Sequence, residues 1–504
     1  MTQFITVSGG AGTSVGLSLS AGEDAVLANE VQIFADAAEA LTGAGDNVVV
    51  LGTGAALVSF ADDAVDLVGG GDSLLDIGDE ALILASQGAG VFSAGDLSIR
   101  NAGVVNAADG AVIVSGTADI VNFGTITGGA ASQGVLLNHG GRLANFGDIV
   151  GDDAVMLDTR GASIRNSGRI DGALSGVHLR DAGTNTTTLL NSGEIASELI
   201  GVKAVASLLQ TVNSGLIVGG RIGIDAGTPG SGAGVNTLAN TGTVSGDERS
   251  YDGSDVADEI ENAGLMIGDI RLDDGDDRYI GRAGEVEGTV EGGAGADVLV
   301  GGAAADAFLG GAQDDALRGR GGDDSLSGDE GNDLLVGGAG DDALDGGADD
   351  DALRGKAGDD ALSGGDGLDD LRGHAGDDEL FGGAGGDELR GHGGDDVLGG
   401  GRGADLLIGG RGDDVMTGGQ FIDTFVFNRR AGEDEITDFE NGTDVIDLQA
   451  FGLFAGQFNS VVAPALSSAG GGATFLDLDA MGGTGSVLIK GLAFADADAS
   501  DFIL

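Results

Sequence analysis

A nine-residue phase runs without interruption from Gly292 to Val426. It comprises fifteen consecutive nonapeptides of the form G-G-x-G-x-D-x-U-x, where U is large and apolar. Position 1 is always glycine. Position 6 is always aspartate: Asp297, Asp306, Asp315, Asp324, Asp333, Asp342, Asp351, Asp360, Asp369, Asp378, Asp387, Asp396, Asp405, Asp414 and Asp423. Position 8 is apolar throughout, from Leu299 and Phe308 to Met416 and Phe425. A glycine-rich acidic linker has no reason to keep such a phase, so the segment reads as a structural repeat. Glycine permits φ > 0 and close backbone approach. The x-U-x tripeptide reads as a short strand whose single inward side chain fills a narrow core. Carboxylate and backbone carbonyl oxygens suit Ca²⁺, which takes roughly 6–8 of them at about 2.3–2.6 Å.

This segment resembles the RTX, or haemolysin-type, calcium-binding repeats, whose nonapeptide carries the same residues at the same positions. The resemblance implies a parallel β-roll with two nonapeptides per turn, the fifteen aspartates as metal ligands and several bound Ca²⁺ ions. Residues eighteen apart, such as Asp324 and Asp342, are then expected to stack at roughly 4.8 Å. Two carboxylates at that distance repel by about 3 kcal/mol at an effective dielectric of ~20. Position 4 departs from glycine at Ala304, Gln313, Asp349 and Phe421, and position 2 at Arg320, Asp329, Lys356, His374 and His392. Sites near the first three repeats and the last are therefore expected to be partial or empty.

Residues 427–504 resemble the C-terminal domain that follows RTX repeats in serralysin-type secreted proteins. The matching pieces are Asp434-Glu-Ile-Thr-Asp438-Phe439 and Gly442-Thr-Asp444-Val-Ile-Asp447-Leu448. The chain ends Asp501-Phe502-Ile503-Leu504, which looks like an uncleaved type I secretion signal. The N-terminus has no basic stretch followed by an apolar one, so a cleaved Sec signal is not expected. The resemblance implies a secreted, extracellular protein with the type I apparatus as a partner.

Residues 1–267 carry a second period. Asn-x-Gly recurs at Asn101, Asn122, Asn145, Asn166, Asn191, Asn213, Asn240 and Asn262, at intervals of 21 to 27 residues. An apolar residue usually stands two before the asparagine, and a further short strand lies between successive asparagines. This predicts a parallel β-solenoid with stacked asparagines; a β-sandwich is the alternative. The expected fold is thus all-β: an N-terminal β-solenoid (1–267), a junction (268–291), an RTX β-roll continuing it (292–426) and a small β-rich C-terminal secretion domain (427–504). In the junction, Asp273, Asp274, Asp276 and Asp277 read as a solvated turn or, less readily, as an extra acidic site.

The formal charge is −60, from 83 acidic and 23 basic residues, which argues against a nucleic-acid partner. No cysteine is present, so disulfides and thiolate metal sites are excluded. No run of 18 or more apolar residues occurs, so no transmembrane segment is expected. Among the histidines, His139, His178, His374 and His392, none forms H-E-x-x-H, and there is no G-x-S-x-G elbow. The chain is therefore read as non-enzymatic: a structural, adhesive or matrix component that folds on Ca²⁺ outside the cell, with extracellular polysaccharide or a cell surface as a possible partner. The alternative is a secreted polysaccharide-modifying enzyme, resembling alginate epimerases and lyases. Its site would lie on the solenoid flank around His178, Arg180, Asp181 and Asp158. His374 and His392 read as surface groups, and Tyr251 and Tyr279 as lying outside the regular rungs.

Overall fold

The computed structural model describes residues 4–7, 17–19, 23–28, 31–35, 40–44, 47–60, 62–68, 72–158, 161–180, 186–205, 208–227, 234–453 and 455–504. Asp181 lies outside them. The chain forms two compact units. One is Met1–Asp274 with Gly284–Gly288, and the other is Gly275–Ala283 with Thr289–Leu504.

The first unit is a parallel solenoid. A typical rung is Leu97–Asn101, Val104–Ala107 and Val112–Val114. Each strand pairs in parallel with its counterpart one rung on, as Asn101 with Asn122, Val105 with Ile126, and Ile113 with Leu136. A sandwich would pair its strands antiparallel. Ile99, Ile120, Leu143, Ile164 and Leu189 stack at no more than 2% exposure and form one inner column. The asparagines form a buried ladder beside it. Each Nδ2 donates to the next Oδ1, at 2.8 Å from Asn101 to Asn122 and 2.9 Å from Asn145 to Asn166. The glycine of Asn-x-Gly is needed for close stacking: a Cβ on Gly147 would sit 2.0 Å from the carbonyl oxygen of Gly124.

Tyr251 and Tyr279 prove to be core residues, at 2% and 0% exposure, in strands Thr243–Asp252 and Arg278–Gly281. Tyr251 donates its hydroxyl to Asp258 and the Tyr279 ring meets Phe308 edge to face; both stand where the short aliphatic pattern breaks, which is why they looked peripheral in the sequence.

In the second unit the nonapeptides alternate between two parallel sheets. Leu353 pairs with Leu371 in one sheet and Leu362 with Leu380 in the other, each eighteen residues apart. Two nonapeptides thus make one turn. The strands are six residues long rather than three, as in Ala352–Ala357. They run from position 7 through position 3 of the next repeat, because positions 2 and 3 still pair, as Lys356 with His374 and Ala357 with Ala375. Position 8 fills the core; Leu317, Leu335, Leu353, Leu371 and Leu389 are fully buried. Beyond Val426 the parallel order persists in Glu433–Ile436 and Val445–Asp447. Antiparallel strands Leu466–Gly470, Ala473–Asp477 and Ser486–Ile489 then cover this end.

Candidate metal centre

Each half-turn of the roll carries an aspartate whose side chain folds back along the axis. Asp360 Oδ1 accepts from the N–H of Asp342 at 2.9 Å, and Asp378 Oδ1 accepts from Asp360 at 2.9 Å. The pattern repeats along both edges. One ladder runs through Asp297, Asp315, Asp333, Asp351, Asp369, Asp387, Asp405 and Asp423, and the other through Asp306, Asp324, Asp342, Asp360, Asp378, Asp396 and Asp414. The other oxygen is left over. In fourteen of the fifteen, all but Asp306, Oδ2 is buried with no hydrogen-bond partner, and none of those fourteen residues is more than 3% exposed. At Asp306, Oδ2 instead accepts from the N–H of Gly302 at 2.8 Å.

The invariant glycine at position 1 makes room for that oxygen. A Cβ on Gly355 would lie 2.1 Å from Asp360 Oδ2, and one on Gly337 2.2 Å from Asp342 Oδ2.

Burying so many carboxyls raises their proton affinity. Burial, with the charges of stacked neighbours added, pushes Asp315, Asp324, Asp351, Asp360, Asp396 and Asp423 up to about 7 against a backbone hydrogen bond that opposes it. Asp297, Asp369, Asp378, Asp405 and Asp414 rise to about 6, chiefly through burial. Burial likewise raises Asp306, Asp333, Asp342 and Asp387.

A row of buried, unpaired carboxylate oxygens is costly without a cation. Among the described residues, no three His, Cys, Asp or Glu side chains converge on one point. A cation here must complete its shell with backbone carbonyls of the glycine turns, and such an all-oxygen set fits Ca²⁺. The donor set therefore suits the metal.

The nine-residue phase missed three members of the ladders. Asp277 opens one, its N–H donating to Asp297 Oδ1 at 2.7 Å. Asp434 and Asp444 close them, accepting from Asp414 and Asp423 at 3.1 Å. Their spacings of 20, 20 and 21 residues break the phase, and only the buried-aspartate pattern could have found them. The junction aspartates thus divide. Asp277 is buried and built into the roll, contrary to the solvated turn expected, because Asp297 Oδ1 in the first rung takes its N–H. Asp276 accepts from Ala296 at 3.1 Å, Asp273 pairs with Arg271 and Asp274 is exposed.

On the solenoid flank, His178 Nδ1 lies 3.3 Å from Asp153 Oδ1, beside Ser175. Lys203 stacks on His178 one rung on, and Asp225 on Lys203. Burial opposes ionisation of Asp153, yet His178, Ser175 and Lys203 together hold it below its usual range. Arg180 turns toward Met156 Sδ at 3.7 Å, and Asp158 is exposed. His374 and His392, read as surface groups, stack face to face with centroids 4.9 Å apart.

Comparison with known proteins bears on the roll. Six segments, 288–317, 318–353, 327–362, 354–389, 363–398 and 390–425, match the family model for the RTX calcium-binding nonapeptide repeat (4 copies). No curated protein matches the chain. Among solved structures, the chain is similar to the AlgE6R3 subunit of the mannuronan C5-epimerase from Azotobacter vinelandii. The two are 30% identical over 31% of this chain and 80% of that one, with a TM-score of 0.15. No helix among the described residues is long and apolar enough to cross a membrane.

Proposed function

We propose that this RTX haemolysin-type, calcium-binding repeat protein is exported unfolded and set by extracellular Ca²⁺ into a rigid structural or adhesive component. The fifteen position-6 aspartates are its metal ligands, joined by Asp277. The observation that carries the reading is the pair of buried ladders in which fourteen of the fifteen position-6 aspartates, all but Asp306, spend one oxygen on a neighbour's backbone and keep the other unpaired. Extracellular calcium modules typically bind at about 10⁻⁴–10⁻³ M. At cytosolic calcium the ladders stay charged, repelling and open; in millimolar calcium the sites fill. A hundredfold excess over Kd contributes about 2.7 kcal/mol per site, so a few sites suffice to fold a domain of ordinary stability.

Export through a narrow channel requires the open state. The C-terminal residues support this order of events. Asp501 is fully buried, its Oδ2 accepting from Asp498 at 2.8 Å, and Phe502 pairs with Ile446. A secretion receptor reads them only before the fold closes. The test is a calcium titration of the full chain followed by circular dichroism, with magnesium as control, together with export of a chain lacking Asp501–Leu504. Cooperative gain of β signal with calcium alone, and loss of export on truncation, are expected. Full β content in EDTA at about pH 8, above the folded carboxyl values of about 7, would overturn the folding claim, and normal export of the shortened chain the secretion claim.

One contact favours a second reading, a polysaccharide-modifying enzyme with its site on the solenoid flank. The Asp153–His178 contact, with Lys203 on the next rung, offers a base and a cation for a uronate. Turnover of polyuronates that disappears in His178→Ala would establish it; no turnover by the calcium-loaded chain would dismiss it.

A further inference from the structure

The roll is not uniformly acidic. Residues 292–426 contain eight Lys and Arg, namely Arg318, Arg320, Arg354, Lys356, Arg372, Arg390, Arg402 and Arg411. All but Arg402 lie on strands of one sheet. Positions 9 and 2 point outward there. The registers stack Arg354 on Arg372 and Arg372 on Arg390, with Lys356, His374 and His392 in the column beside them.

Three of these side chains occupy sites that favour glycine. Lys356, His374 and His392 stand at φ of 96°, 86° and 80°. Such strain costs roughly 1–2 kcal/mol per residue, and strain repeated in one column of nitrogen-bearing side chains points to a use. The Nε atoms of Arg354 and Arg390 are buried without a hydrogen-bond partner. Arg372 and Arg390 are balanced by Asp370 and Glu388, but Arg354 and Lys356 have no carboxylate partner among the described residues. The face opens into a groove of about 900 Å³ lined by Arg390, His392, Arg411, Arg429 and Arg430.

An edge of the same roll carries the complementary feature. Asp323, Asp341, Asp359, Asp377, Asp395 and Asp413 stand on six successive rungs, all exposed. Each takes one backbone N–H on Oδ1, as Asp359 does from Asp377 at 2.9 Å, leaving Oδ2 outward. This ridge has the rung spacing of any parallel sheet, ~4.8 Å, and so does the Arg354–Arg372–Arg390 column. Two ladders of equal period match rung for rung, with Arg354 and Lys356 the cations left for the ridge, a match that a flexible polyanion makes only by chance.

We propose that the aspartate ridge of one molecule docks on the Arg354/Lys356/Arg372/Arg390 face of a second copy of this chain. The contact is heterologous, so each copy offers a second surface to the next and the contact propagates beyond a pair, into a ring or an open array. It deepens the structural role proposed above and rests on calcium folding the roll. A ridge contact a few rungs long is small and salt-sensitive, and gains strength by repetition along the array.

Sedimentation of the full chain in millimolar calcium tests this, with circular dichroism on the same samples. Assembly weakened about tenfold or more between low and high salt is expected. Two variants separate the surfaces: Arg354→Gln with Lys356→Gly, which relieves strain and so folds, and Asp359→Asn with Asp377→Asn, which keeps the Oδ1 acceptors. Each alone stays monomeric; mixed, they form pairs that do not grow. Monomers of the calcium-folded native chain overturn the proposal. So does assembly that survives either variant, as calcium bridging of ridges would, or capture of an added polyuronate with no self-association. Assembly of a roll already folded in chelator would instead refute the calcium reading and leave the docking intact.

Discussion

In chelator, acid substitutes for calcium. The buried carboxyls of the ladders bind protons with folded-state pKa values of about 6 to about 7, as at Asp378 and Asp360, against 3.8 for the free side chain. These folded values lie above the unfolded one, so between pH 3.8 and 7 the folded roll holds more protons than the unfolded chain. Stability of the metal-free roll is therefore greatest at low pH and is lost as the pH rises through the folded values. If the whole ladder counts for only four extra protons, a discount for solvent at the roll's edges, the slope is about 5 kcal/mol per pH unit. Whole domains are stable by about 5–15 kcal/mol, so one or two units of acidification decide the state. The assay is far-ultraviolet circular dichroism of the full chain in EDTA from about pH 8 down to about pH 5, above the sequence pI of 4.1. A β signal that grows on acidification is expected, along with proton release when calcium binds at the acid end of the range, where the metal-free roll is folded and protonated. A roll equally folded at both ends of the range, or calcium uptake at the acid end without proton release, would refute the account of the ladder.

Four further outcomes follow from the same contacts. Asp360→Asn keeps the Oδ1 acceptor but removes a charge between Asp342 and Asp378, so it weakens calcium binding about tenfold or more while stabilising the metal-free roll by about 1–3 kcal/mol; destabilisation in both states would show a purely structural residue. Gly355→Ala drives a methyl into Asp360 Oδ2 and costs about 3 kcal/mol or more in calcium, measured by thermal melting. Asn145→Ala unpairs Asn122 and Asn166 in the buried ladder and costs about 2–4 kcal/mol irrespective of calcium. In EDTA, limited proteolysis leaves a protected fragment ending near Asp274, because the solenoid's polar ladder is of neutral amides; complete digestion would contradict that independence.

The roll was readable because its constraints are local and periodic. Leu353, Asp360 and Gly355 each recur at nine residues for a reason stated by the residue itself. Asn145 was readable in the same way. What escaped depended on through-space events without a fixed spacing. Asp277, Asp434 and Asp444 join the ladders across loops of irregular length. The Asp153–His178 contact arises because two rungs place those residues side by side. The basic face was in plain view as scattered exceptions, Arg320, Lys356, His374 and His392, and became one surface only when the turn length set them in columns.

The alternation of nonapeptides between two sheets gives the roll a parity. Inserting or deleting eighteen residues adds or removes a whole turn and leaves every downstream side chain on its own side, with Arg354 still over Arg372. Inserting or deleting nine is half a turn. The core survives, since both sheets bury the same leucine and both edges the same aspartate, but every arginine downstream crosses to the opposite face. Length changes in this gene segment are therefore of two kinds that no stability assay separates. Even steps lengthen the roll, and odd steps invert the polarity of its surface.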